Sequence, residues 1–300
     1  MNPSIGICLS GGGTRGIAHI GVLQALEENQ ISPDFLSGAS AGALVGTLYA
    51  AGYSPQEMLE IFKNSSLTRL FKPTLPTMGF IDNSYIDEML GEYIETDDFA
   101  ALKKRMFVSV TNLTTGKSEI IGEGPLFDVV VTSTSIPILF KSRKMGDFVY
   151  ADGGLLNNLP VEPLENYCDR IIGVNVCPVG TVDNFENLID IGYRTLDLAM
   201  WSNVRPRLLL CDVVIEPQVG KMGFFDLKKA DQIFEEGYKA AMEKMPEIRR
   251  LAEGRFTRTN PYRNRFRKTG VDTLEMKEPA SLWARIKHFF QSLWDKIRSF

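Results

Sequence analysis

Histidine is scarce in this chain: 300 residues contain only His19 and His288. Chemistry that passes protons through imidazole has just these two positions to use. The four cysteines, Cys8, Cys168, Cys177 and Cys211, show no C-x-x-C spacing. That argues against a zinc site, a redox pair or a disulfide scaffold, so neither a metal nor another cofactor is expected. Three of the four sit in or beside apolar runs and read as buried thiols of a reducing compartment. No low-complexity segment occurs, and 44% hydrophobic with 23% charged residues describes a folded chain with a sizeable core. The longest uncharged stretch, Phe35–Gln56, is interrupted by Gly38, Gly42, Gly46 and Gly52. It reads as strand, turn and buried helix, not as a membrane span. The first ten residues, MNPSIGICLS, lack the basic region of a signal peptide. A cytoplasmic protein, peripheral at the inner face of a membrane, is the expectation.

Charge is uneven. Residues 253–300 hold 11 Lys/Arg against 5 Asp/Glu, which leaves 22 against 32 in residues 1–252. An acidic body with a basic tail points the tail at something anionic, lipid head groups or nucleic acid on charge alone.

Ile5–Leu9 and Phe35-Leu36 are short apolar runs. Each is followed by glycine-rich turns and then a helical pattern, Gly16–Asn29 and 41–51. Two strand–turn–helix units in 50 residues predict a parallel sheet with crossover helices. Helices are expected at Pro55–Asn64, Ser84–Ile94, Leu126–Thr132, Phe185–Asn203 and Leu227–Leu251. Further strands are expected at Met106–Leu113, Ser118–Ile121, Phe148–Ala151, Arg170–Val176 and Cys211–Glu216. Residues 1–252 read as one domain with a helical cap insertion at about 55–100. Residues 253–279 read as a basic linker and 280–300 as an amphipathic helix.

Three segments can carry chemistry. Gly38-Ala39-Ser40-Ala41-Gly42 fits G-x-S-x-G, in which two glycines permit a sharp strand-to-helix turn that exposes the serine hydroxyl. Gly11-Gly12-Gly13-Thr14-Arg15-Gly16 can aim several backbone N–H groups at one anion, either a reaction oxyanion or a phosphate. It also matches G-x-G-x-x-G. However, the next strand ends in Gly38-Ala39-Ser40 and not in the acidic residue a dinucleotide site needs, and no Lys-Ser/Thr follows to make a P-loop. A serine nucleophile needs a base. His288 is remote in sequence, and His19 sits in a helix between Ile17 and Ile20, where a packed histidine is the plainer reading. Asp152, at a strand end in Asp152-Gly153-Gly154, is the better candidate, provided its surroundings are dry enough to raise its basicity.

In this order the segments resemble the patatin-like phospholipase family: Leu9–Gly16, Gly38–Gly42 and Asp152-Gly153-Gly154-Leu155-Leu156-Asn157-Asn158-Leu159-Pro160, with Thr111–Gly116 and Ser133–Phe140 alongside. The resemblance spans roughly residues 4–216. It implies a three-layer α/β/α sandwich with a mainly parallel sheet. It also implies a phospholipid or other acyl-ester substrate, a Ser40–Asp152 dyad working through an acyl-enzyme, and an oxyanion hole of Gly11, Gly12 and Gly13. Arg15 would order that loop or pair with a head group. Acyl transfer by the same dyad and a non-catalytic membrane scaffold are the competing functions.

Residues 55–100 offer apolar side chains, among them Phe62, Phe71, Met78 and Met89, both to pack internally and to line a lid. In the last segment, Leu282, Ile286, Phe289, Phe290, Leu293, Ile297 and Phe300 repeat at helical spacing, with Trp283 and Trp294 beside them. Arg285, Lys287, Lys296 and Arg298 occupy the other face. Such a helix, about 28 Å long, fits a membrane surface through Trp283, Arg285, Lys287, Phe290, Trp294, Lys296 and Arg298. Docking on the domain or burial in a homo-oligomer are the other readings. No nucleic-acid partner is expected.

Overall fold

Apolar runs of five residues, bounded by glycine or polar turns, are too short for helices and become the inner strands of a sheet. The computed structural model describes residues 3–64, 83–137, 139–181, 184–185, 188–220, 222 and 227–255, within the compact unit Met1–Asn260. Its strands are β1 (Ile5–Leu9), β2 (Phe35–Ala39), β3 (Arg105–Asn112), β4 (Lys117–Ile121), β5 (Arg143–Met145), β6 (Phe148–Asp152), β7 (Arg170–Val174) and β8 (Val213–Ile215). The order β3-β2-β1-β7-β8 is parallel throughout. β3 also pairs antiparallel with β4 and β6, and β5 lies outside β6.

The register on β3 decides where the chemistry can occur. β2 pairs along it from Phe35 opposite Arg105 to Ala39 opposite Ser109. β6 runs the opposite way, from Tyr150 opposite Asn112 to Asp152 opposite Val110. β4 pairs with Val108–Asn112 and so occupies the other edge of β3. β2 and β6 therefore share one edge and point at each other, ending one residue apart on β3.

The helices are α1 (Ile17–Glu28), α2 (Ala41–Ala51), α3 (Pro55–Asn64), α4 (Ser84–Tyr93), α5 (Phe127–Ser133), α6 (Gly154–Asn157), α7 (Leu164–Tyr167), α8 (Leu188–Leu208) and α9 (Ala230–Ala252). α1, α3 and α9 pack together, whereas α6 and α7 pack on the sheet and α6 meets α8. The result is a three-layer mixed α/β fold. α2 is buried from Ala41 to Ala50 because its side chains are small or apolar all round. α9 buries Ile233, Gly237, Ala241, Met245 and Ile248, a stripe at helical spacing.

Differences from the sequence expectation lie at element edges and in the short elements β5, α6 and α7, which local patterns do not mark. β5 is absent from the expected strands, since Arg143-Lys144-Met145 has no apolar alternation and exists only as a partner for β6. α8 begins at Leu188 and runs past Asn203 to Leu208, with Pro206 inside its last turn, where the ring removes a single N–H. Phe62 and Met89 are core residues, so among the insertion's named side chains these two pack internally. Leu67, Leu70, Phe71, Leu75, Met78, Phe80 and Ile81 lie outside the described residues. So do His288 and the tail positions Trp283, Arg285, Lys287, Phe290, Trp294, Lys296 and Arg298. No described helix is long and apolar enough to cross a membrane.

α1 and α9 meet with almost no room between them: a Cβ on Gly237 would stand 1.9 Å from the Ala18 carbonyl oxygen. On helix propensity alone Gly237→Ala would gain up to about 1 kcal/mol. The overlap with α1 backbone outweighs this, so Gly237→Ala is expected to lower Tm by several degrees in thermal denaturation. A raised Tm would contradict the close crossing.

Candidate active site

Ser40 sits between the end of β2 and the start of α2 with φ 51° and ψ −123°. An L-residue is strained there, and such strain persists only when the surroundings hold it. They do. The Ser40 N–H donates to Ser133 Oγ at 2.9 Å, and Ser133 Oγ donates to the Ser109 carbonyl at 2.7 Å. On the far side, the Ser40 carbonyl accepts from the Ala43 and Leu44 N–H groups. A Cβ on Gly42 would lie 2.2 Å from the Leu9 carbonyl oxygen, so α2 can start this close to β1 only with glycine at that position. The α2 N-terminus adds its partial positive charge beside the hydroxyl.

The hydroxyl itself donates to Asp152 Oδ2 at 2.7 Å. The two residues are 112 apart in sequence and meet because β2 and β6 converge on one edge of β3. Asp152 Oδ1 accepts the Gly154 N–H at 2.7 Å, and the Asp152 N–H donates to the Ser135 carbonyl at 2.9 Å. Both Ser40 and Asp152 are buried. Burial pushes the Asp152 carboxyl up to about 7, against the opposing pull of the Ser40 and Gly154 donors. The result is a carboxyl that changes state near neutrality.

His19 is fully buried in α1, and its Nε2 lies 2.7 Å from the Ser10 carbonyl oxygen. A carbonyl can only accept, so Nε2 carries the hydrogen. Burial holds its pKa down to about 4. It is bound to the backbone of the glycine loop, while the Ser40 hydroxyl is bound to Asp152.

The glycine loop is anchored rather than open throughout. Gly11 N–H donates to both Oδ1 and the carbonyl of Asn158, at 3.1 and 3.3 Å. The Val176 N–H donates to Ser10 Oγ at 2.9 Å. Arg15 Nε donates to the Met222 carbonyl at 3.0 Å, with Nη2 3.5 Å from that of Gly220. The described residues provide no hydrogen-bond partner for the Gly12 or Gly13 N–H.

Gly12, Ser40, Asp152 and Asn158 line an open cleft with Ile136, Pro137, Leu155, Leu196 and Met200. The apolar wall comes from the 136–137 turn, α6 and α8, not from Phe62 or Met89. α8 also holds the segment after Asp152. The Asn158 N–H donates to Asn203 Oδ1 at 2.8 Å, and Asn203 Nδ2 donates to the Gly154 and Leu155 carbonyls at 3.0 and 3.3 Å. Among the described residues no group of three or more His, Cys, Asp or Glu could hold a metal ion, and the four cysteines are buried and not joined in disulfides.

The family model for patatin-like phospholipase matches residues 7–165, the span that contains the glycine loop, the Ser40 turn and Asp152. The chain belongs to the patatin-like phospholipase family. Its similar proteins include Lysophospholipase NTE1 of Scheffersomyces stipitis, 28% identical over 273 residues that cover 79% of this chain and 17% of that one. Another is an uncharacterized NTE family protein of Mycobacterium bovis, 26% identical over 279 residues, covering 82% of this chain and 47% of that one. The chain thus spans less than half the length of these relatives. Among solved structures, VipD from Legionella pneumophila superposes with a TM-score of 0.57 at 16% identity, covering 82% of this chain and 67% of that chain. At that identity the likeness concerns the patatin-like fold alone.

Ser40, Asp152, the glycine loop and Arg15 stand out in the sequence. Ser133, Asn203, Leu196 and Met200 do not, and Asn158 is visible only within its motif. The run Gly154–Pro160 was a signal for Asn158. Nothing in the α8 sequence marks Asn203.

The buried carboxyl has a thermodynamic consequence. Below about pH 4 Asp152 is protonated folded or unfolded and costs nothing. As pH rises from about 4 to 7, the unfolded chain ionises first, so the folded state loses ground, and above 7 the loss is constant. Asp152→Asn removes the loss and can keep both bonds by donating to Ser40 Oγ and accepting from Gly154. Scanning fluorimetry should show Asp152→Asn melting several degrees above wild type at pH 8 and no higher at pH 4. Equal Tm at pH 8 would contradict a raised carboxyl.

Proposed function

We propose that this chain is a lipid acyl hydrolase, a carboxylic-ester hydrolase of phospholipase A or lysophospholipase type that acts through Ser40 and Asp152. The observation that carries this is the 2.7 Å bond from Ser40 Oγ to the buried Asp152 Oδ2 in an apolar-walled cleft. The family and the lysophospholipase name of a relative agree with it.

Ser40 Oγ attacks the ester carbonyl carbon while its proton passes to Asp152 Oδ2. The carbonyl electron pair becomes an oxyanion facing the Gly12 and Gly13 N–H groups, with Gly11 spent on holding the loop. The tetrahedral species collapses, the carbon–oxygen bond to the alcohol breaks, and Asp152 returns the proton to the leaving oxygen. Water then attacks the acyl-enzyme, losing a proton to Asp152, and the next collapse gives that proton back to Ser40. A carboxyl near 7 suits both halves, since a base matched to the working pH both takes and returns protons. Ile136, Pro137, Leu155, Leu196 and Met200 would hold the acyl chain, and Arg15 would fix the loop through its carbonyl contacts.

In this reading residues 1–252 form the hydrolase domain, with a cap insertion at about 55–100. Residues 253–279 link it to the amphipathic segment 280–300, which would rest on the inner face of a membrane in the cytoplasm.

Hydrolysis of a medium-chain chromogenic ester should fall at least 1,000-fold in Ser40→Ala and Asp152→Asn, and His19→Ala, if folded, should remain active. kcat/KM for wild type should rise with pH to a plateau with a midpoint near 7. A fluorophosphonate should label wild type but not Ser40→Ala. An active Asp152→Asn would remove Asp152 as the base, and an unlabelled wild type would favour a silent scaffold. Vesicle co-sedimentation with anionic lipid should pellet the full chain more than the 1–252 truncation. Equal pelleting would sink the tail's membrane role.

A further inference from the structure

Asn158 combines features that a purely structural asparagine would not be expected to show together. It is fully buried and lines the cleft beside Ser40, Asp152 and Gly12. Its Oδ1 is taken by the Gly11 N–H, which fixes which end of the carboxamide is which. Its Nδ2, with two hydrogens to give, has no hydrogen-bond partner among the described residues. A buried donor left unpaired is destabilising, so its retention in a cleft calls for a use.

The position suits one. A Cβ on Gly11 would stand 2.4 Å from Asn158 Oδ1 and 2.9 Å from Ser40 Cβ, so amide and nucleophile flank the same narrow gap. The backbone is doubly held, with the Asn158 N–H on Asn203 Oδ1 and the Asn158 carbonyl on Gly11 N–H. A donor fixed this way needs no reorganisation when charge appears. Asn158 also accounts for Gly11: its Oδ1 occupies one backbone donor of the loop, while its own Nδ2 stays unpaired in a residue that lines the cleft.

Resting on the hydrolase reading, we propose that Asn158 Nδ2 is a catalytic oxyanion donor, completing the hole formed by the Gly12 and Gly13 N–H groups and contacting the carbonyl oxygen of the substrate ester as it becomes negative. The other clusters near the site have partners of their own: Arg15 is engaged by Met222 and Gly220, and Arg207 by Glu162.

The test compares wild type, Asn158→Ala and Asn158→Leu, both of which leave the main-chain acceptor for Gly11. An alkyl trifluoromethyl ketone reports the oxyanion: Ser40 Oγ bonds to its carbonyl carbon, the serine proton moves to Asp152, and the carbonyl oxygen becomes an anion in the hole. The matching trifluoromethyl alcohol occupies the cleft without forming that anion. In the variants kcat on a medium-chain ester should fall roughly 100- to 1,000-fold with KM little changed. Ketone affinity should fall by a similar factor, and alcohol affinity should hold. Unchanged kcat, or ketone and alcohol weakened together, overturns the proposal. If neither variant folds, selective 15N labelling of asparagine in wild type decides: one side-chain NH2 pair should move downfield with the ketone and not with the alcohol, and no such shift overturns it. A wild type that neither hydrolyses the ester nor traps the ketone overturns the hydrolase reading and this inference together. A wild type that does both, matched by Asn158→Leu, overturns this inference alone.

Discussion

Two strands that run toward each other along one edge of β3 set the geometry on which everything else depends. β2 delivers Ser40 from one direction and β6 delivers Asp152 from the other, with Ser109 and Val110 as the adjacent rungs beneath them. Neither side chain needs a long reach, and the 2.7 Å bond between them closes the gap where the strands stop. A parallel sheet alone places strand ends side by side; the antiparallel return of β6 is what brings a second residue face to face with the first. The turns at both ends follow from this. Ser40 must leave the sheet abruptly into α2, which strains its backbone, and Asp152 must turn abruptly into α6, where the Gly154 N–H binds its other oxygen.

Around this meeting point the protein substitutes fixed dipoles for water. Burial makes the Asp152 charge unfavourable, yet both of its oxygens have donors, as a buried acceptor requires. Ser133 ties the Ser40 backbone to β3. Asn203 ties α8 to the segment after Asp152, and Asn158 ties that segment to the glycine loop. α8 therefore supplies the cleft wall through Leu196 and Met200 while also holding the backbone next to the carboxyl. In the proposed hydrolase, acyl-chain contacts on that helix would be mechanically close to the chemistry.

Much of this was legible from local patterns. Ile5–Leu9 ended β1 where it was expected, and Pro55–Asn64 and the Ser40 turn also matched, because glycine and apolar runs act over a few residues. His19 read as a packed histidine from its apolar neighbours, and its bond to the Ser10 carbonyl is of that kind. What the sequence concealed was non-local. The pairing of β5 depends on β6, not on its own residues. The Asn158 bond to Gly11 joins positions 147 apart. The cleft wall fell to α8 because helix packing decides which apolar face is left beside Ser40, and no periodicity in residues 188–208 announces that choice.

The two oxygens of Asp152 are not equivalent. Oδ1 is held by the Gly154 N–H, so the carboxyl cannot rotate without breaking a buried bond, and Oδ2 alone faces Ser40. In the proposed reaction a single oxygen must then receive the serine proton, hand it to the departing alcohol, and later accept one from water. Alcohol and water would have to use the same station in turn, so the alcohol must vacate before hydrolysis can begin. Such a one-berth arrangement makes the residence time of the first product a control on the second half of the cycle. It would also give any other alcohol that lingers there the chance to take the acyl group in place of water.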